Sequence, residues 1–440
     1  MLETSSMSAN LFKAAKRFST TRPRTAIFVA ALLLRLGWVV LVADFLPVSD
    51  SAVYLKLGAE IAETGQYRNA MDFEGHVTYA YRPPGYPFFI ALMHRLTDDP
   101  LVLIQLVQSV LSALVCVLLY GFLERTTGRR DTAATGALLY CLYPASIAMS
   151  AVIWSETVSA FLTVGAFCFA TTAGSWRRTL VSGLFLSAAC YFRPNTLLLA
   201  PMMYLPLLLE RKHAAYIART AALVVLLAAA TAPWSVRNHA RIGKFVWISS
   251  NLGPNVYYGH NPESTGGPYN TERMGEVLDK MDGDEVEKGR ILMDEALAYA
   301  RQHPGIEAVR FVERFVVLLL KDRAPVYLSF VKKLVMTFST GVRIIGVLNN
   351  VFYLAILIAA VSVVLDKRYY RHRFIFGFAG AFTIQVLFYA ALVADERYKF
   401  PMVPLLFAVA SLRVVDLRPI VERRLRRAWR GVRRGVERVA

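Results

Sequence analysis

The sequence predicts an all-α, polytopic membrane protein of about ten spans, and three observations carry that reading. Of the 440 residues, 55% are hydrophobic, and the mean hydropathy is +0.41, an apolar content that a soluble chain of this size rarely reaches. Apolar runs near twenty residues recur along the chain, the length a helix needs to cross roughly 30 Å of hydrocarbon. The net charge of +18 sits in short basic clusters between those runs and in a C-terminal tail, as the positive-inside rule expects of cytoplasmic loops. That distribution argues against nucleic acid as the partner of the charge.

The elements follow in order. Residues 1–24 are polar and basic, and Lys13, Lys16, Arg17, Arg22 and Arg24 put this end in the cytoplasm. The first span occupies 25–43; its apolar run is too long for a signal-peptide core, so it is read as uncleaved. Arg35 lies inside it, where a charge costs roughly 2.5–3.5 kcal/mol on insertion scales. It therefore either snorkels or holds a structural partner. An outer loop follows over 44–100, with an amphipathic helix at 53–63 ended by Gly65, and an apolar stretch at 88–96 too short to span and lying at the interface.

A bundle occupies 101–234, with spans at 101–123, 133–149, 157–172 and 221–234. Two short helices, 180–191 and 197–209, are joined by Arg193-Pro194-Asn195 as a thin hairpin. A second outer region covers 235–341. Its 251–262 stretch, rich in Asn, Gly and Pro, reads as turns. Its 285–302 segment reads as an amphipathic helix ended near Pro304, and 311–320 and 326–338 as surface-lying helices. Spans at 342–365, 375–393 and 400–415 make up the C-terminal group, 342–416. The arginine-rich tail, 417–440, reads as a cytoplasmic amphipathic helix on anionic lipid. Cys116, Cys141, Cys168 and Cys190 all fall within apolar runs and read as small buried hydrophobes, with no disulfide framework.

This topology collects one kind of chemistry on one face. Asp50, Arg82, Glu156, Arg237, the 251–261 segment and Arg397 fall on the outer side, and Arg193 opens to it from the hairpin bend. The inner connections hold only basic clusters. Arginine matches phosphate oxygens bidentately and keeps its charge. A carboxylate can accept the proton of an attacking hydroxyl, worth ~10²–10⁴-fold in rate. Acids among isolated arginines at a membrane surface thus suit group transfer from a lipid phosphate. No nucleotide-binding glycine pattern is present, and a lipid-linked donor needs none. Tyr54, Tyr86, Asn255, Tyr257 and Tyr258 are the expected substrate contacts, although tyrosines there also suit an interfacial belt. Asp50 and Glu156 also suit helix N-termini, and Arg397 an interfacial anchor.

The chain resembles the GT-C polytopic glycosyltransferases of the protein O-mannosyltransferase and aminoarabinose-transferase superfamily. The carriers are Ser49-Asp50-Ser51-Ala52-Val53-Tyr54, Arg82-Pro83-Pro84-Gly85-Tyr86-Pro87, Ser155-Glu156-Thr157, Arg193-Pro194, Pro233-Trp234-Ser235-Val236-Arg237-Asn238 and Glu396-Arg397-Tyr398. The Arg-Pro-Pro-Gly-Tyr-Pro stretch after an acid just past the first span is the most specific. The resemblance implies a GT-C bundle in a bacterial inner membrane with its active site facing the periplasm, and a polyprenyl-phosphate sugar as donor. It implies Asp50 as catalytic base, Glu156 as a second catalytic acid, Arg397 beside the donor phosphate, and an inverting transfer to a glycan, lipid or protein. Arg82 and Arg193 join Arg397 as expected phosphate ligands. Many members carry Asp-Glu where this chain has Asp50-Ser51. Some bind a divalent metal nearby, for which Asp72, Glu74, His76 and His260 are the available side chains. A transporter of lipid-linked sugars is the competing class; it wants internal repeats, and none is evident here.

Overall fold

The computed structural model describes residues 21–43, 45–73, 76–170, 175–268, 271–330 and 340–420, and gives no side-chain description for 69–76. The expectations for 1–20, for most of 326–338 and for the tail beyond 420 lie outside these residues.

The described chain is a helical bundle with one small hairpin. Helix α1 (Pro23–Leu41) packs along the long α4 (Pro100–Thr127). Between them lie α2 (Asp50–Thr64), ended by Gly65 at φ 68, and α3 (Gly85–His94), which packs on α2. The short strands β1 (Asn69–Phe73) and β2 (His76–Thr78) pair antiparallel in the same loop. Helix α3 turns Ile90 and Met93 inward and leaves Phe88 and Leu92 exposed, the two-sided character expected of an interfacial helix.

Arg35 is fully buried in α1. It donates to Ser112 Oγ at 2.7 Å, Ser146 Oγ at 3.0 Å and the Ala31 carbonyl at 3.0 Å. Its charge is met by protein, so it ties α1 to α4 and to the next break in the chain rather than snorkelling.

The segment expected as one span over 133–149 is two pieces, α5 (Arg130–Cys141) and α6 (Pro144–Ala148). The break falls before Pro144, which cannot donate to a continuing ladder and instead opens α6. Helix α7 (Glu156–Ala170) returns against α8 (Trp176–Phe192) and α4. A 3₁₀ turn (Pro194–Leu199) leads into α9 (Ala200–Leu209).

Two expectations need correcting. Helix α10 (His213–Ile242) does not stop at Trp234 but carries Ser235, Arg237 and Asn238 on a further turn. Those polar groups find protein partners, with Ser235 Oγ donating to the Trp247 carbonyl at 2.7 Å and Asn238 Nδ2 to the Val246 carbonyl at 3.1 Å. The stretch read as turns forms α11 (Leu252–Gly259). Its glycines serve close approach rather than turning. A Cβ on Gly253 would lie 1.9 Å from the Gly289 carbonyl oxygen, and one on Gly259 would lie 1.8 Å from the Leu392 carbonyl oxygen. Helix α11 is thereby pressed onto α12 (Glu285–Gln302) and onto the 391–394 turn.

Helix α13 (Pro304–Leu320) exposes Ile306, Val309, Val312 and Val316 along one stripe. Helices α14 (Ala324–Ser329), α15 (Thr340–Leu365) and α16 (Phe374–Ala390) follow, and α17 (Glu396–Ile420) opens with a 3₁₀ turn, Glu396–Met402. Among the described residues, five helices (α1, α4, α10, α15 and α17) are long and apolar enough to cross a membrane, and three shorter apolar segments run over Glu156–Ala170, Pro194–Leu209 and Phe374–Ala390. The bundle core is one continuous apolar cluster running through α4, α5, α7, α16 and α17.

Candidate functional site

Five elements bring their ends to one cavity of about 480 Å³: the start of α2, the loop after β2, the start of α7, the α8–α9 connection and the first turn of α17. Asp50, Arg82, Glu156, Arg193 and Arg397 line it together. Leu197, Leu198, Phe388, Leu392 and Val393 form an apolar wall beside these charges.

Asp50 stands in the first turn of α2, and the preceding Ser49 sits at φ 52, a region costly for a residue with a Cβ. Its carboxylate faces two cations. Arg82 Nη1 donates to Oδ1 at 2.8 Å and Arg397 Nη2 to Oδ2 at 2.6 Å. The carboxylate therefore serves the arginines, not the capping role also open to it. Burial raises its proton affinity, but the charges and hydrogen bonds of Arg82 and Arg397 outweigh that and hold its carboxyl well below the usual carboxylate range. Nearby, burial pushes the Tyr54 phenol up to about 12.

Glu156 has a different partner. It is buried at the start of α7 and accepts from Arg193 Nη2 at 2.5 Å. Arg193 Nη1 donates to the Tyr389 hydroxyl at 3.0 Å, while its Nε and the Asn195 Nδ2 are buried without an acceptor among the described residues. Arg397 connects the two acids. Its Nε lies 3.1 Å from Asp395 Oδ2 and 3.9 Å from Glu156 Oε1, and its guanidinium stacks 4.0 Å over the Trp154 ring. Cation–π contact and ion pairs together fix its plane.

The surrounding polypeptide holds these side chains in place. The backbone just before Arg82 is clamped from two directions. Arg237 donates to the carbonyls of Tyr79 and Tyr67 at 2.5 and 2.6 Å, and Glu285 accepts from the amides of Tyr79 and Ala80 at 3.2 and 2.8 Å. Tyr67 adds a bond to the Arg82 carbonyl at 2.6 Å. On the other side, buried Lys399 donates to the carbonyls of Lys321 and Glu396 and lies 3.3 Å from Asp322 Oδ1. Glu396 accepts from the amides of Arg323 and Ala324 at 2.5 and 3.0 Å. Arg397 thus lies between two residues, Glu396 and Lys399, that are bonded to the 321–324 connection leading into α14.

Of the expected substrate contacts, Tyr54 and Asn255 line the cavity. Tyr86, Tyr257 and Tyr258 do not. Tyr86 is fully buried, donates to Gln108 Oε1 at 2.9 Å and stacks on Phe89, while Tyr257 and Tyr258 pack in a separate apolar cluster with Met274 and Leu292. Arg237 is also off the cavity, holding backbone. Sequence reasoning did not single out Tyr389, Trp154 or Glu285 as parts of the site. Tyr389 merely ends an apolar run, and Glu285 lies more than two hundred residues from the amides it holds.

The donors of the cavity do not fit the divalent cation that the resemblance allows. Its two carboxylates, Asp50 and Glu156, are each engaged by guanidiniums, and three arginines beside two acids disfavour a dication. Among the described residues no three His, Cys, Asp or Glu side chains gather as a metal site. His260 sits against Glu307 at 2.6 Å and the Ala391 carbonyl at 3.0 Å. The Asp72, Glu74 and His76 side chains lie outside the described ones.

Residues 81–235 match the family model for the dolichyl-phosphate-mannose-protein mannosyltransferases, a GT-C superfamily domain. The matched segment, about a third of the chain, includes Arg82, Glu156 and Arg193; Asp50 and Arg397 lie outside it. No curated protein matches the chain.

Proposed function

We propose that this chain is a membrane glycosyltransferase of the GT-C type, a reading that its match over residues 81–235 supports, and that it moves a sugar from a polyprenyl-phosphate donor to an acceptor hydroxyl, with Asp50 as the base. The acceptor is a lipopolysaccharide or O-antigen unit, another glycan or a protein at the periplasmic face of a bacterial inner membrane. The observation that carries the reading is a single carboxylate held between two arginines at one end of a cavity whose other wall is apolar. The apolar wall suits the first isoprene units, and the guanidiniums suit the phosphodiester.

The chemistry needs no redox partner. The acceptor oxygen attacks the anomeric carbon while its proton passes to an Asp50 carboxylate oxygen. The bond from the anomeric carbon to the phosphate oxygen breaks, and its electron pair stays on that oxygen, releasing polyprenyl phosphate and inverting the centre. Arg397 and Arg82 stabilise the charge that grows on the phosphate in the transition state. Arg193 stays with Glu156 and lends its remaining donors, with Asn195, to the same anion.

This arrangement gives the donor a second role. At rest both Asp50 oxygens are occupied and the carboxyl is a weak base. A bound phosphodiester competes for the same guanidiniums and adds negative charge nearby. Asp50 is thereby freed from its ion pairs and becomes more basic when the acceptor arrives.

The reading is tested with purified protein in detergent and a panel of undecaprenyl-phosphate sugars, following free undecaprenyl phosphate by mass spectrometry. Release from one donor, raised by a cell-envelope extract that supplies acceptor, is the expected result. Silence with every donor and extract, together with movement of labelled lipid across proteoliposomes without bond cleavage, would replace transfer by transport.

A further inference from the structure

The helices that carry the cavity at one end carry a second concavity at the other. There the ends of α4, α7 and α9 and the start of α16 enclose a cleft of about 240 Å³. Arg125 reaches it from α4, and Arg371 and Arg373 from the approach to α16. Met203, Leu207 and Phe374 supply apolar lining.

Basic residues at a span end are ordinary, so their presence alone assigns nothing. Their pairing separates these three from their neighbours. Arg24 and Arg130 lie against Glu124, Arg129 against Asp131 and Asp416, and Arg368 and Arg413 against Asp366. Among the described residues Arg125, Arg371 and Arg373 have no carboxylate within ion-pair distance. The acid of the cleft, Glu210, is taken by Lys212 at 2.7 Å. The N-terminus of the seventeen-residue α16 opens at the same place and adds the positive end of its dipole.

We infer that this cleft is an anion site for the phosphodiester headgroup of an acidic phospholipid. The three guanidiniums match phosphate oxygens, and a cleft that joins cations to an apolar lining fits a group attached to acyl chains better than one free in water. Basic pockets between span ends on the side opposite the outer face are the usual form of such sites. The inference does not depend on the donor or acceptor proposed for the cavity around Asp50.

The test uses the full chain, delipidated in detergent, with native mass spectrometry across a titration of phosphatidylglycerol, phosphatidylcholine or inorganic phosphate. Wild type is expected to retain phosphatidylglycerol over phosphatidylcholine. The triple change Arg125→Gln, Arg371→Gln and Arg373→Gln should weaken that retention at least about tenfold, given roughly comparable shares from each cation. Arg177→Gln, an exposed arginine at the same end, should leave it unchanged. Arg373→Glu is the companion variant if the triple change folds poorly, since an acid suits a helix N-terminus; it should lower retention in the same way. Protection of wild type by inorganic phosphate as strong as by phosphatidylglycerol would keep the anion site and make its source soluble. Equal retention of both lipids, or of phosphatidylglycerol by wild type and triple variant, would overturn the inference.

Discussion

At the residue scale, two acids that look alike in the sequence have different surroundings. Glu156 is buried against Arg193, and removing that cation leaves the charge without its hydrogen-bonded partner, with only Arg397 Nε 3.9 Å away. Arg193→Ala should therefore cost roughly 3–5 kcal/mol, visible as a lower thermal unfolding midpoint in detergent, and Glu156→Gln with Arg193→Ala should recover part of it. Asp50 is half-buried and doubly held, so its consequence is kinetic. Its carboxyl lies well below the usual carboxylate range in the resting protein, and in the proposed mechanism donor binding draws the arginines away. The acid limb of kcat/KM for the donor, which reports free protein, should then lie at lower pH than the acid limb of kcat, which reports the bound state. Coincident limbs in a pH–rate series would mean that the arginines do not leave Asp50.

At the element scale, the site depends on turns that distant residues pin. Glu285→Ala removes the acceptor of two backbone amides just before Arg82. A loss of roughly 1.5–3 kcal/mol of stability is expected, as for other hydrogen bonds to a charged group, together with a higher donor KM. Unchanged unfolding and unchanged KM would show that Arg237 and Tyr67 suffice. What was legible at this scale depended on locality. Helix α12 has its start written in Asp284 and Glu287, which form a capping box, and the sequence-based bounds 285–302 agree with it. Helix α11 was illegible because Gly253, Pro254 and Asn255 are turn formers by local preference. Their helical state is set by packing against Gly289 on a different helix. Helix α10 ran past its expected end for a related reason: Arg237 and Asn238 look like a loop until their carbonyl partners are known.

At the scale of the whole molecule, the fold brings residues 347 positions apart, Asp50 and Arg397, into one ion pair. The acids and arginines stood out as types on one face of the topology, but no spacing could pair them. The all-helical, apolar class was readable because it is a property of composition and run length. The α5–α6 break is local, set by Pro144, whereas the bonding of Arg35 depends on three-dimensional contacts. The close seam between α11 and α12 is a further test of the packing. Gly253→Ala places a methyl 1.9 Å from a carbonyl oxygen, closer than any real contact. It should destabilise by about 1–3 kcal/mol, read as lower yield of monodisperse protein and an earlier unfolding transition. Wild-type behaviour of that variant would contradict the α11–α12 contact.

The central claim is that Asp50 takes the acceptor's proton while the arginines hold the donor phosphate. Single-turnover transfer by Asp50→Asn, with donor binding measured on the same sample, tests it most directly. The variant should bind the donor at least as well as wild type, because Arg82 and Arg397 are released, while transfer falls ~10²–10⁴-fold. Full transfer by Asp50→Asn at wild-type donor occupancy would contradict it.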